Sequence, residues 1–208
     1  MGGFWTLERT AALLSRRNAP RKGLPHLLFL TDPVRTPDPE AIAERLPRGT
    51  AIVFRTFGAA DAEARGRRLA EIARRRGLIL LIGADAALAA KLGADGVHLP
   101  ERLAAYARRL KAAHPGWIVT AAAHSVRAAR WGLTAGADAA VVSPVFASRS
   151  ASAGAPLGPV RLARLVRAVK GPVYGLGGID MKKARRLLGA GLIGLAAVDA
   201  FRGDAFRT

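Results

Sequence analysis

The chain contains no cysteine and no run of about 18 apolar residues among its 208 residues. The first absence excludes disulfides, thiolate metal sites and thiol nucleophiles. The second argues against a membrane span. Charged residues at 8, 9, 16 and 17 surround the short apolar pair at 13–14 and break any apolar region of a signal peptide, so we expect a cytoplasmic protein. Half of the residues are hydrophobic, which excludes a disordered chain.

Acidic residues are few, and the formal net charge is +18 with a pI of about 11.7. A charge of this size suggests nucleic-acid binding. However, the arginines fall on the outer faces of predicted helices, and no aromatic residues are interleaved with them as a base-stacking surface requires. We therefore expect a solvated basic surface that attracts anionic substrates, and no nucleic-acid partner.

A repeating unit organises the sequence. Residues 93–101 read as a helix end, a glycine turn and a short apolar strand, and residues 136–144 and 189–198 repeat this order. Such a unit is typical of a parallel α/β protein. Counting the apolar runs predicts eight strands, at residues 26–32, 50–57, 78–82, 96–99, 118–123, 140–145, 173–176 and 193–198.

Eight strands that are apolar along their whole length, with helices between them, predict a compact (β/α)8 TIM barrel with parallel strands. A short amphipathic helix and a linker occupy residues 1–23, and residues 24–208 form a single barrel domain. The competing fold is an open doubly wound sheet. That fold requires a glycine-rich turn after the first strand, where Thr31, Asp32 and Pro33 stand instead.

TIM barrels carry their active sites at the carboxyl ends of the strands. There, Gly177 and Gly178 end the seventh strand just before a helix, where free backbone N–H groups bind phosphate; a tight turn without a ligand is the alternative. Ser148 and Ser150 flank Arg149 in the long loop after the sixth strand. This arrangement suits an anionic group under a closing loop, although a plain flexible loop explains it equally well.

Histidine provides the candidate for proton transfer. His124 ends the fifth strand, where a neutral imidazole can transfer protons near pH 7. The alternative is a histidine that only caps a helix or packs against its neighbours. His98 stands between two apolar residues of the fourth strand, and we expect it to be structural. His26 and His114 are predicted to be peripheral.

Together these motifs resemble the thiamine phosphate synthase/TenI family. The resemblance runs from about residue 26 to residue 201, and its most specific parts are the sequence GADGVHL and the PVF-x-S-x-S loop. The motifs that carry it lie at residues 94–99, 123–125, 143–150 and 175–179.

The resemblance implies a TIM barrel that handles substrates of thiamin biosynthesis. The synthase joins hydroxymethylpyrimidine diphosphate to a thiazole phosphate, with Mg²⁺ on the diphosphate. A TenI-like relative is instead a thiazole tautomerase, which uses a histidine at the position of His124. The resemblance also assigns phosphate binding to Gly177, Gly178 and the backbone near Val198 and Asp199. The hydroxyls of the diphosphate loop correspond to Ser148 and Ser150.

The chain departs from the synthase pattern at the metal and diphosphate positions. Of the charged residues after the second strand only Arg55 remains, and Phe57 replaces a lysine. The synthase pattern has two metal-binding carboxylates, and this chain has no carboxylate at the corresponding positions, which are 83–84 and near Pro100. Neither Asp85 nor Glu101 aligns with them. We therefore expect no cofactor, with Mg²⁺ only if the chain is a synthase.

Asp199 replaces a serine, and a carboxylate there repels phosphate unless Arg149 or Arg202 compensates for it. The proton-transfer histidine and the phosphate glycines are retained. These departures favour a TenI-like tautomerase acting on a small phosphorylated heterocycle. A Mg²⁺-dependent synthase and a noncatalytic binding or regulatory barrel are the alternatives. For a barrel this small, a homodimer is plausible.

Overall fold

The computed structural model describes residues 6–18, 23–148 and 154–201. The strands are β1 Leu27–Leu30, β2 Ala51–Phe54, β3 Ile79–Gly83, β4 Gly96–Leu99, β5 Ile118–Ala123, β6 Ala139–Val142, β7 Val173–Leu176 and β8 Gly194–Ala197. The α-helices are α1 Leu7–Arg17, α2 Pro39–Ala43, α3 Ala62–Arg76, α4 Ala86–Leu92, α5 Ala107–Ala113, α6 Val126–Thr134, α7 Gly158–Val169 and α8 Met181–Ala184. Short 3₁₀ helices span Glu101–Tyr106, Arg185–Leu187 and Asp199–Phe201.

The eight strands are all parallel and close into a barrel in sequence order, with β8 paired to β1. The predicted TIM barrel is therefore confirmed, and the open doubly wound sheet is wrong. Predicted β4, β5 and β7 match the observed bounds, whereas β1, β2, β6 and β8 were predicted too long. Most of their extra residues follow the observed strands, where the chain leaves the sheet to form the site loops.

Alternation along the strands divides the apolar residues into two cores. In β1, Leu28 and Leu30 point into the barrel, while Leu27 and Phe29 pack against the surrounding helices. Tyr174 fills the interior, and its buried hydroxyl donates a hydrogen bond to the carbonyl of Pro25. The same period of two fixes which side chains emerge at the carboxyl end of the barrel.

The repeated Gly-Ala-Asp sequence has a structural role at the start of the strands. The Asp95 carboxylate accepts a hydrogen bond from the amide of Leu80 at 2.8 Å, and Asp138 accepts one from Val119 at 2.8 Å. Each aspartate thus joins its own strand to the preceding one. The third copy of the unit has Gly191 at the sequence position of the aspartate and no carboxylate there, and the carbonyl of the next residue, Leu192, accepts a hydrogen bond from Asn18 at 2.6 Å.

Helix α1 packs against β8, β1 and α8. Its apolar face buries Leu7, Ala11 and Leu14 in the outer core, and the Thr6 hydroxyl caps its first turn by accepting a hydrogen bond from the amide of Arg9. Within the described part of the chain, no helix has the length and apolarity needed to cross a membrane.

Candidate active site

A cavity of about 750 Å³ opens at the carboxyl ends of the strands, where the sequence predicts the site. All but one of the predicted site residues line it. They are Arg55, His124, Ser148, Gly177, Gly178, Val198 and Asp199. The remaining one, Ser150, lies outside the described residues.

His124 follows β5 and is exposed in the cavity. Its Nδ1 lies 2.9 Å from the carbonyl oxygen of Ser143. Because a carbonyl only accepts, Nδ1 carries the proton and the neutral ring keeps its lone pair on Nε2. The carboxylate of Glu101 accepts a hydrogen bond from the His124 backbone amide at 3.1 Å. The ring is therefore held as a proton acceptor at the cavity wall.

His98 also lines the cavity, below the level of His124 in the barrel, but it is 93% buried, with 7% of its surface exposed. Its Nδ1 lies 2.9 Å from the hydroxyl of Thr120 on the neighbouring strand. Burial first, and then the charge of Arg55, lower the pKa of His98 to about 4. The ring is neutral at pH 7 and, as expected from the sequence, contributes to the buried interior.

Arg55 emerges into the barrel from the end of β2, two residues after the inward-facing Val53. Its Nε donates a hydrogen bond to the carbonyl of Thr31 at 2.6 Å, and its Nη2 lies 3.5 Å from the carboxylate of Asp32. Burial lowers the pKa of Arg55 to about 10 although Asp32 opposes the shift, so the guanidinium keeps its charge at pH 7. Arg55 thus pairs with Asp32 at the edge of the cavity.

Arg35 is a site residue that the sequence analysis missed. It lines the cavity, and its guanidinium lies 2.8 Å from Asp32 and 3.5 Å from Asp199. Burial alone would raise the pKa of Asp32, but the hydrogen bonds from Arg35 outweigh it and lower that pKa to about 2. Negative and positive charges alternate from Asp199 through Arg35 and Asp32 to Arg55.

Among the described residues, Arg35 in the loop after β1 places a cation beside Asp199. Arg149 and Arg202, the two cations expected from the sequence to compensate for Asp199, lie outside the described residues. Closure of the barrel brings the end of β8 next to the end of β1, so residues 164 positions apart in sequence become neighbours.

Gly177 and Gly178 have positive φ angles of 101° and 60°. A Cβ atom at Gly178 would lie 2.2 Å from the carbonyl oxygen of Ala147. The packing of this turn against the loop after β6 thus requires glycine whether or not a ligand binds. Beside the turn, the Nζ of Lys183 lies in the cavity wall, 3.2 Å from the Gly178 carbonyl and 2.9 Å from Asp180. Lys183 is a second cation that the sequence analysis missed.

The residues that line the cavity at the ends of β3 and β4 offer few donors for a hard divalent cation. Gly83, Ala84 and Pro100 supply no carboxylate to the wall. Asp85 accepts a hydrogen bond from the Leu88 amide at the start of α4, and Glu101 holds the His124 amide. Among the described residues, no group of three histidine, aspartate or glutamate side chains is placed to bind a metal.

Gly83 also has a packing role that the sequence did not reveal. A Cβ atom there would lie 3.1 Å from Cγ of Arg55 and 3.2 Å from the carbonyl of Phe54. Without a side chain at 83, the stem of Arg55 lies across the end of β3. The space at this strand end is therefore filled by a guanidinium-bearing side chain.

The family profile described as thiamine monophosphate synthase (TMP-TENI) matches residues 27–201, which is most of the chain and all eight strands. The chain belongs to this family. The resemblance noted from the sequence is thereby confirmed.

The names of similar proteins are consistent with membership of this family. The thiamine-phosphate synthase of Geobacillus thermodenitrificans is 31% identical over 172 residues, which cover 79% of this chain and 77% of that one. A putative thiamine-phosphate synthase 2 of Aquifex aeolicus is 35% identical over 59% of this chain and 66% of its own length. A bifunctional thiamine biosynthesis protein of Symbiobacterium thermophilum is 34% identical over 65% of this chain, which spans only 28% of that protein.

Among solved structures, thiamine phosphate pyrophosphorylase from Pyrococcus furiosus superposes with a TM-score of 0.71 at 26% identity, covering 88% of this chain and 92% of that one. FabK from Thermotoga maritima superposes with a TM-score of 0.66 at 18% identity, over 93% of this chain and 62% of its own. This second likeness shows only a shared barrel fold.

Proposed function

We propose that this family member binds a thiazole phosphate in the cavity and transfers a ring proton with His124, as a TenI-like tautomerase does. The observation that carries the proposal is the hydrogen bond from Nδ1 of His124 to the Ser143 carbonyl. It fixes the tautomer in which Nε2 is the base, on a side chain that faces the cavity.

The proposed reaction requires only proton movement. Nε2 of neutral His124 accepts a proton from one ring atom, and the resulting imidazolium returns a proton to another position of the same ring. The Ser143 carbonyl holds the ring orientation through both steps, because Nδ1 remains a donor throughout. Neither step needs a metal ligand.

Positive charge in the wall supports a phosphorylated ligand. Lys183 stands beside the Gly177–Gly178 turn, Arg35 stands beside Asp199 at the end of β8, and Arg55 follows it through the shared carboxylate of Asp32. In the proposed complex the phosphate lies on the turn and on the backbone near Val198, and Ser148 contributes a hydroxyl from the loop after β6. The thiazole ring of the ligand then points toward His124.

The synthase reaction is the second candidate, and the names of the relatives favour it. It needs hydroxymethylpyrimidine diphosphate and Mg²⁺, for which the residues at the ends of β3 and β4 supply no suitable carboxylates. A noncatalytic binding barrel is the third candidate, and it would bind ligand without turnover.

The test combines ligand binding with turnover. Melting temperature is measured with thiazole phosphate and with the pyrimidine diphosphate, each with and without Mg²⁺, since a ligand that binds only the native state raises it. Our proposal expects a shift with thiazole phosphate that is indifferent to Mg²⁺. A Mg²⁺-dependent shift with the diphosphate, together with formation of thiamine phosphate, would establish the synthase instead.

Turnover of the thiazole tautomer is then compared between the wild type and His124→Asn. The asparagine amide preserves donation to the Ser143 carbonyl but provides no base. We expect kcat to fall by about 10²–10⁴-fold, with ligand affinity changed by only a few-fold. His114→Asn is the matched control because His114 stacks on Trp117, away from the cavity. Unchanged turnover in His124→Asn would refute the assignment.

A further inference from the structure

Phe57 is an apolar aromatic residue displayed at the cavity rather than buried in a core. It follows β2, lines the cavity wall and is 64% exposed. An exposed aromatic ring of this size does not gain the hydrophobic stabilisation that burial would give it. The other exposed aromatic side chains of the described chain, Tyr106 and Trp131, do not line the cavity.

The backbone of Phe57 is also in an unfavourable conformation. Its φ angle is +48°, in the left-handed region that a bulky residue rarely adopts, and Gly58 follows with φ of +80°. Such a conformation costs about 1–3 kcal/mol when the residue is not glycine. Glycine would be the residue of choice for folding alone, so strain and exposure together indicate a role for the ring itself.

Arg55 orients the ring. Its guanidinium carbon lies 5.1 Å from the centroid of the Phe57 ring, within the range of a cation–π contact. Arg55 is itself fixed by the Thr31 carbonyl and by Asp32. One side of the ring therefore rests on an anchored cation, while most of its surface remains open.

We propose that Phe57 is the specificity-determining residue of the cavity and stacks on the aromatic ring of a phosphorylated heteroaromatic ligand. This inference rests on the proposed function, because it places the ring of that ligand against Phe57 while its phosphate lies near Gly178. Offset stacking of two aromatic rings, together with the surface they bury, favours an aromatic over an aliphatic phosphate.

The experiment separates the ring from the phosphate. Dissociation constants are measured by calorimetry for thiazole phosphate, 2-phenylethyl phosphate and ethyl phosphate; the last two differ only by the phenyl ring. In the wild type we expect 2-phenylethyl phosphate to bind about tenfold more tightly than ethyl phosphate. In Phe57→Leu that preference should largely disappear, with ethyl phosphate affinity unchanged. Tyr106→Leu is the matched control for loss of an exposed aromatic ring.

A second variant separates binding from folding. Phe57→Gly relieves the strain at a positive φ, so we expect an unchanged or higher melting temperature together with the same loss of ring preference. Loss of ring preference in a variant at least as stable as the wild type would not be explained by unfolding.

The possible outcomes distinguish the two proposals. If thiazole phosphate binds and Phe57→Leu binds it equally well, the stacking role is wrong and the proposed function stands. If thiazole phosphate does not bind but the phenyl preference exists and depends on Phe57, the proposed function is wrong and the stacking role stands. If no aromatic phosphate is preferred over ethyl phosphate, the stacking role is refuted.

Discussion

Removal of Arg35 should weaken phosphate binding chiefly because of the charge of Asp199. Their closest charged atoms lie 3.5 Å apart, and the Arg35 side chain is only 14% exposed. Coulomb's law gives about 5 kcal/mol for unit charges at this distance with an effective dielectric constant of about 20. Solvent at Asp199, which is 34% exposed, and the second contact of Arg35 with Asp32 reduce this value. We expect a coupling of about 1–2 kcal/mol between Arg35 and Asp199.

The coupling is measurable as a double-mutant cycle on ligand affinity. Arg35→Gln should weaken the binding of inorganic phosphate and of thiazole phosphate about tenfold or more, because it removes the positive charge that stands beside a carboxylate at the anion site. Asp199→Asn alone should strengthen binding. The double variant should recover most of the affinity lost in Arg35→Gln, and the effects should shrink at high salt.

Failure of the rescue would refute this reasoning. If Arg35→Gln and the double variant bind phosphate equally weakly, Arg35 acts by direct contact with the ligand or by holding the loop around Asp32. Melting temperatures of all variants serve as the control, because Arg35 donates to Asp32 and its loss also perturbs folding.

Two further predictions concern stability. Between about pH 6.5 and pH 4 the unfolded chain protonates His98 while the folded chain does not, so the free energy of unfolding should decrease by up to about 3 kcal/mol as the pH falls. His98→Gln should flatten this part of a urea-unfolding pH profile, and an equally steep profile would contradict the assignment. Gly178→Ala should lower the melting temperature by roughly 5–10 °C, because its Cβ would meet the Ala147 carbonyl at 2.2 Å and its φ is positive. Gly116→Ala, with no atom within 4 Å of its Cβ, is the control, and equal melting of the two variants would argue against the clash.

The sequence predicted the barrel because its signals are local. Each strand is a short apolar run, helices α3 and α4 end at Gly77 and Gly93, and the aspartates before α2, α4 and α8 cap those helices. The period of two along a strand then places Arg55 on the inside of the barrel without knowledge of any partner. His124 and the Gly177–Gly178 turn were predictable at the cavity for the same reason, since they directly follow β5 and β7.

The limits of local signals are visible in the strand ends. Residues that favour strands follow both ends, the β-branched Thr31 after Leu30 and the apolar pair Val145 and Phe146 shortly after Val142, so the sequence overestimates β1 and β6. The residues beyond the observed strand ends form turns that side chains stabilise by hydrogen bonds. At the end of β1, for example, Asp32 accepts hydrogen bonds from the amides of Val34 and Arg35.

Only the tertiary structure decided which charges meet. Arg35 lies beside Asp199 because β8 pairs with β1 when the barrel closes, and nothing in the sequence near either residue marks the other as its partner. The need for glycine at position 83 likewise becomes clear only from the tertiary structure, in which the side chain of Arg55 packs across it. Local sequence thus determined the strands, the turns and the residues that face the cavity. Their pairing, and hence the electrostatics of the site, followed from barrel closure.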